Sequence, residues 1–273
     1  MRVTDPNAPG PPGFLGAALK VVLLRPTLCI AYAGNIGAAL GAIRQVDSEN
    51  LSAEAAEGHL LDAHRRSEPK ADFLVASLRP SRVVAVKDDG LEALDACWMG
   101  DEGAFAEYQR FYHQELFRPP DDFYHSTERA ADIEIAARMG NGMEAVVHGR
   151  SLVIDGETRT LTRPEGGSHE TVGEAIVYAV PRVEDNLFKY SIHVRFTGSR
   201  FDDHAGGCFV YAMLAPEEPG VGMVGAYFDQ AQLGVLYAPL VLDEPERYRG
   251  VSREEFTELV RQQHGISLHG FGL

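Results

Sequence analysis

The chain has few cysteines: Cys29, Cys97 and Cys208 in 273 residues, odd in number and far apart. Neither a disulfide framework nor a Cys-x-x-Cys zinc site is encoded, and the thiol usage fits a reducing compartment. Positive charge is also short, with 25 Lys plus Arg against 40 Asp plus Glu, a net charge of −15. A general nucleic-acid binder needs a basic face for phosphates, and an anionic membrane surface attracts basic segments. Neither kind of partner is therefore expected. The acid is unevenly spread: residues 1 to 46 hold Arg2, Lys20, Arg25 and Arg44 against Asp5 alone.

Long apolar runs are scarce too. The opening Met1-Arg-Val-Thr-Asp-Pro-Asn-Ala-Pro-Gly10 has no apolar core of a secretory signal, so a cytoplasmic location is expected. Pro26 to Ile43 is uncharged and approaches the roughly 20 residues of a membrane span. Its period changes midway, however. Leu28 to Ala33 reads as a buried strand, whereas Ile36, Ala39, Leu40 and Ile43 fall at i, i+3, i+4 and i+7 of a helix. A strand, a Gly34 turn and a helix are expected there. Walker, His-Glu-x-x-His and Gly-x-Ser-x-Gly motifs are absent.

What is present is an alternation of strand and helix signals. Lys20 to Leu24 and Leu28 to Ala33 flank Arg25-Pro26 as a hairpin. Helices follow over Ile36–Val46 and from the N-cap Ser52 to His64. Asp72–Leu78 and Arg82–Lys87 form a strand pair with Asp88-Asp89-Gly90 as a turn, and Ala96–Met99 reads as a short strand. Phe105, Tyr108, Tyr112 and Leu116 mark one helix, and Ile133, Ala136, Ala137, Met143 and Val147 another. Residues 149–171 read as a loop. Strands are expected near 173–180, 187–196, 207–214, 222–228 and 232–237. A last helix carries the capping box Ser252-x-x-Glu255, an apolar face of Phe256, Leu259 and Val260, and Gly265 as its C-cap. No linker or repeat interrupts this order, so residues 1–273 read as one layered domain.

Candidate chemistry is sparse. Gly220-x-Gly222-x-x-Gly225 matches the dinucleotide fingerprint in letters, but a β-prone run follows it where a helix is needed. It reads as a turn entering a strand, and no cofactor is expected. Asp202, Asp203, His204 and His193 could supply metal ligands, but such clusters are usually solvated loops, and no metal is expected. Cys208, preceded by Gly206-Gly207 and near His204, is a possible nucleophile and also a plausible small core residue.

The segment Arg2-Val3-Thr4, a loop, Lys20 at the head of a β-run and Ala31-Tyr32-Ala33-Gly34 opening a helix resembles the proteasome β-subunit branch of the N-terminal-nucleophile (Ntn) hydrolases. Asp72–Ala76 with Val83–Val86, and Gly234–Ala238, resemble later strand blocks of that family. The resemblance implies an α+β fold, a four-layer αββα sandwich with two mainly antiparallel sheets between helix layers. It also implies amide-bond hydrolysis, on a peptide or small amide substrate. Lys20 would be the lysine that lowers the nucleophile's pKa, and Arg2 and Thr4 would form the cleft turn. Met1 stands where the family has Ser, so by the resemblance the family's nucleophile and aspartate have no counterpart in the sequence as given, and an inactive chain is expected. A structural or regulatory pseudo-enzyme, or a ligand-binding protein using the vacant cleft, is the alternative. A sheet lacking that first hairpin would expose a strand edge, from which a homo-oligomer is expected.

Overall fold

Three two-residue turns, at Pro26-Thr27, Arg79-Pro80 and Asp88-Asp89, join the hairpins of the first sheet. The structure, a computed structural model, describes residues 18–94, 97–100, 105–106, 109, 177–182, 185–192 and 212–270. The chain forms two compact units, one of residues 1–99 with 177–273 and the other of residues 100–176. Of the second, Phe105, Ala106 and Gln109 are helical, within the helix expected from Phe105. The rest of that helix, the helix around Ile133–Val147 and the loop 149–171 lie outside the described residues.

In the first unit β1 (Val21–Arg25) and β2 (Leu28–Gly34) form the expected hairpin. The helices α1 (Ile36–Ser48) and α2 (Ala53–Arg66) follow, N-capped by Asn35 and Ser52, whose side chains accept from Ala38 N–H and Ala55 N–H. The chain re-enters the same sheet as β3 (Ala71–Leu78), β4 (Ser81–Lys87) and β5 (Gly90–Leu94), in the antiparallel order β1-β2-β3-β4-β5. The strand expected over Ala96–Met99 is not formed at Cys97, Trp98 or Met99. Asp88 and Asp89 both take left-handed φ, 51° and 56°, a two-residue turn whose twist reverses the chain at once. The return strand therefore starts at Gly90, paired with Lys87.

β6 (Val177–Arg182) and β7 (Leu187–Ile192) form a separate antiparallel pair. The second five-stranded sheet has the order β11-β10-β9-β8-β12, from β8 (Ala212–Pro216), β9 (Val224–Phe228), β10 (Leu233–Tyr237), β11 (Glu246–Arg249) and β12 (Leu268–His269). α3 (Arg253–His264) has both halves of its capping box, and Gly265 ends it at φ 71°. The fold is thus mixed α+β with antiparallel sheets and a few helices.

Each sheet turns one face to helices. Val22, Ile30, Tyr32, Phe73, Val75 and Val86 pack with Ala39, Ile43, Val46, Ala56 and Leu60 of α1 and α2. Leu214, Tyr227, Leu236, Tyr248 and Leu268 pack with Phe256 and Val260 of α3. The opposite face of the second sheet is buried at Val224, Ala226, Phe228, Leu233 and Val235, all at most 1% exposed, whereas that of the first is buried at Leu23, Cys29 and Ala85 and only half-buried at Leu74, Ala76 and Leu78 of β3. An antiparallel sheet with one wet face alternates buried and exposed residues, whereas β9 and β10 are buried throughout.

Arg44 of α1 ties the two parts of this unit together. Its Nε donates to the Pro239 carbonyl at 2.7 Å, its second guanidinium nitrogen to Leu242, and the third pairs with Asp243. The turn at Gly220 abuts the β1–β2 hairpin: Gly220 has φ 74°, and a Cβ there would overlap Arg25 and Pro26 backbone. Gly220-x-Gly222-x-x-Gly225 therefore serves close approach and runs into β9, without the helix that a phosphate cradle requires. Among the described residues no helix is long and apolar enough to cross a membrane.

Candidate functional site

Lys20 stands immediately before β1, and its carbonyl accepts the Tyr32 N–H at 3.0 Å. Antiparallel pairing therefore brings Lys20 to the end of the sheet where β2 runs into Gly34 and α1 begins. Gly34 takes φ 79°, and the Asn35 N–H donates to the Lys70 carbonyl at 3.2 Å. The side chain of Lys20 is exposed, and its amine forms no hydrogen bond or ion pair among the described residues. Lys70 and Asp72 lie at the same end of the sheet, but neither pairs with the Lys20 amine.

Of the residues expected to carry chemistry, Arg2, Thr4 and Cys208 lie outside the described residues, as do His193, Asp202, Asp203 and His204. Cys29 is described and cannot serve as a nucleophile: burial pushes its thiol up to about 12, so the thiolate is not formed near neutrality. Among the described residues no group of three His, Cys, Asp or Glu could hold a metal ion. A shallow groove of about 190 Å³ is lined by Leu214, Arg253, Glu254, Thr257, Leu268 and His269 beside α3. It is smaller than the roughly 300–1,000 Å³ of small-molecule sites, and Lys20 is not part of it.

Two polar arrangements were not anticipated from the sequence. Glu57 of α2, 6% exposed, pairs with Arg82 of β4 at 2.5 Å. His64, in the last turn of α2, is 3% exposed and uses both ring nitrogens: Nδ1 lies 2.9 Å from the Ala71 carbonyl and Nε2 3.2 Å from the Asp89 amide nitrogen. The sequence did hold a signal for the second. His64 continues the buried stripe Ala56, Leu60 at i+4 spacing, which places the imidazole inward.

No family model matches the chain, and no curated protein matches it significantly.

Proposed function

We propose that the chain is built on the four-layer αββα frame of the N-terminal-nucleophile hydrolases, in its proteasome β-subunit-like form, and fills a structural or ligand-binding role on that frame. The observation that carries this is the element order at Lys20: a lysine-headed hairpin, a small residue and glycine into a helix pair, and an antiparallel return into the same sheet. Support for four layers comes from burial. Leu23 and Cys29 on one sheet and Val224 and Val235 on the other are buried on the faces that α1, α2 and α3 do not cover. Burial on those faces, complete along β9 and β10 and partial along β3, is what packing of one sheet on the other would give.

Against hydrolysis stand the exposed Lys20 amine and the sealed Cys29 thiol. A lysine lowers a nucleophile's pKa only across a few ångströms of water-poor space. The position of Lys20 in the hairpin favours the second reading, an amidase or peptidase acting on a peptide or small amide. Fluorogenic peptides separate the two. The proposed role gives no turnover above a Lys20→Ala control, whereas Lys20-dependent cleavage establishes the second reading.

A further inference from the structure

We propose that His64 is a proton-operated latch on the β4–β5 turn. An amide N–H can only donate, and that of Asp89 lies 3.2 Å from Nε2. Nε2 is therefore the acceptor, and the single ring proton of the neutral imidazole sits on Nδ1. From there it is donated to the Ala71 carbonyl at 2.9 Å, with Asp72 Oδ1 3.1 Å away. One buried ring thus fastens the last turn of α2, the first residue of β3 and the Asp88-Asp89 turn.

That turn depends on such fastening. Asp88 and Asp89 both hold left-handed φ, a region costly for residues bearing a Cβ. Besides His64, the Arg65 guanidinium holds the Asp89 carbonyl at 2.8 Å, and Lys70 Nζ lies 3.4 Å from Asp89 Oδ1. A proton taken from solvent onto Nε2 turns the acceptor into a second donor facing the Asp89 N–H. The contact then repels. Relief lies close by, because Asp89 Oδ1 is 3.6 Å from Nε2. The amide swings away, the carboxylate moves in to accept the new N–H, and Lys70 loses its partner. Loss of the proton to solvent reverses each step.

The charged groups around the ring come from every element packed on it. Arg65 belongs to α2, Lys70 to the segment before β3, Asp72 to β3 and Asp89 to the turn, with Lys87 and Asp88 flanking it. Asp72 and Asp89 attract an imidazolium, and Lys70 and Arg65 oppose it.

The test uses the full chain, labelled with ¹⁵N and followed by NMR from pH 8 to 5.5. The His64 ring nitrogens report protonation, and amide hydrogen exchange reports the latch. The expected result is that Asp89 amide protection, corrected for intrinsic exchange, falls about tenfold as His64 protonates, as for loss of one ordinary backbone hydrogen bond. Val75 and Ile30, in the sheet core, should keep their protection, and in His64→Asn the Asp89 amide should lose its pH response. Three results overturn the proposal: His64 does not titrate in this range, Asp89 protection stays constant while it does, or Val75 falls in parallel with Asp89. The comparison of Asp89 with Val75 within the native sample decides even where His64→Asn does not fold.

Discussion

The Tyr190 hydroxyl sits against the backbone of Leu23, accepting its N–H at 3.2 Å while donating to the neighbouring Val21 carbonyl at 2.7 Å. One side chain from β7 occupies the place where another strand would pair with the outer edge of β1. The Phe188 N–H, donated to the Pro26 carbonyl at 2.6 Å, extends this engagement to the hairpin turn. The edge expected to lie bare is engaged by the β6–β7 pair.

Tyr190 and Tyr32 provide a matched test of that account. Both phenols are buried and their pKa values are raised by desolvation, but the Tyr32 hydroxyl has no hydrogen-bond partner. Removing the Tyr190 hydroxyl leaves a buried donor and acceptor unpaired, so Tyr190→Phe should lose about 1–3 kcal/mol in urea unfolding. Tyr32→Phe should be neutral or stabilising by up to about 1 kcal/mol, because it removes an orphaned polar group. Equal losses in the two variants would contradict the assignment.

Self-association through the β1 edge, proposed from the sequence, must displace Tyr190. Light scattering in physiological salt should therefore show larger species in Tyr190→Ala than in the native chain. No difference between them would move any association to another surface.

Much of the first unit was legible because its signals are local. Ser52 caps its helix, and Ser252, Glu255 and Gly265 bound α3, as read, whereas the Asn35 cap of α1 was not read. β5 escaped because Leu91-Glu-Ala-Leu94 is written in helix formers, and only the Asp88-Asp89 turn makes it a strand. β11 escaped because Glu246-Arg-Tyr-Arg249 buries a single side chain, Tyr248, and carries charge at every other position. The site was less legible. The place of Lys20 at the head of β1 follows from the hairpin, but the exposure of its amine does not. The partners of His64 arrive from the start of β3 and the β4–β5 turn, so its stripe position announced burial and not its contacts.

Phe256 anchors α3 on a floor without side chains. A Cβ at Gly234 would fall inside its ring, and one at Gly225 would touch it, while Tyr248 packs tilted against it with centroids 5.2 Å apart. Gly234→Ala should lower stability by about 1–3 kcal/mol, the usual loss on overpacking a core. Gly250→Ala has open space but φ 68°, so its loss should be the smaller, about 1 kcal/mol. Thermal unfolding of both variants checks the order, and a milder loss for Gly234→Ala would mean that α3 is not seated on β10.

Alkaline pH should destabilise the protein before its exposed groups explain it. Cys29 and Tyr32 are raised to about 12 by burial, and Tyr190 is raised too. These acids are neutral in the folded chain where the unfolded chain has begun to ionise, from about pH 8.5 for Cys and 10 for Tyr. Stability is therefore fully present below those values and falls as pH rises toward 12. Urea midpoints from pH 7 to 11 should decline above about pH 9, and less steeply in Cys29→Ala with Tyr32→Phe. A flat profile would mean that these groups reach solvent in the folded state.

The central claim is that this frame carries no acyl-transfer centre activated by Lys20. Incubating the full chain with a peptide bearing an acylating electrophile, and reading its intact mass, tests that claim directly. The account predicts the unmodified 29.8 kDa chain, the same as for Lys20→Ala. A stoichiometric adduct on the native chain that disappears in Lys20→Ala would contradict it.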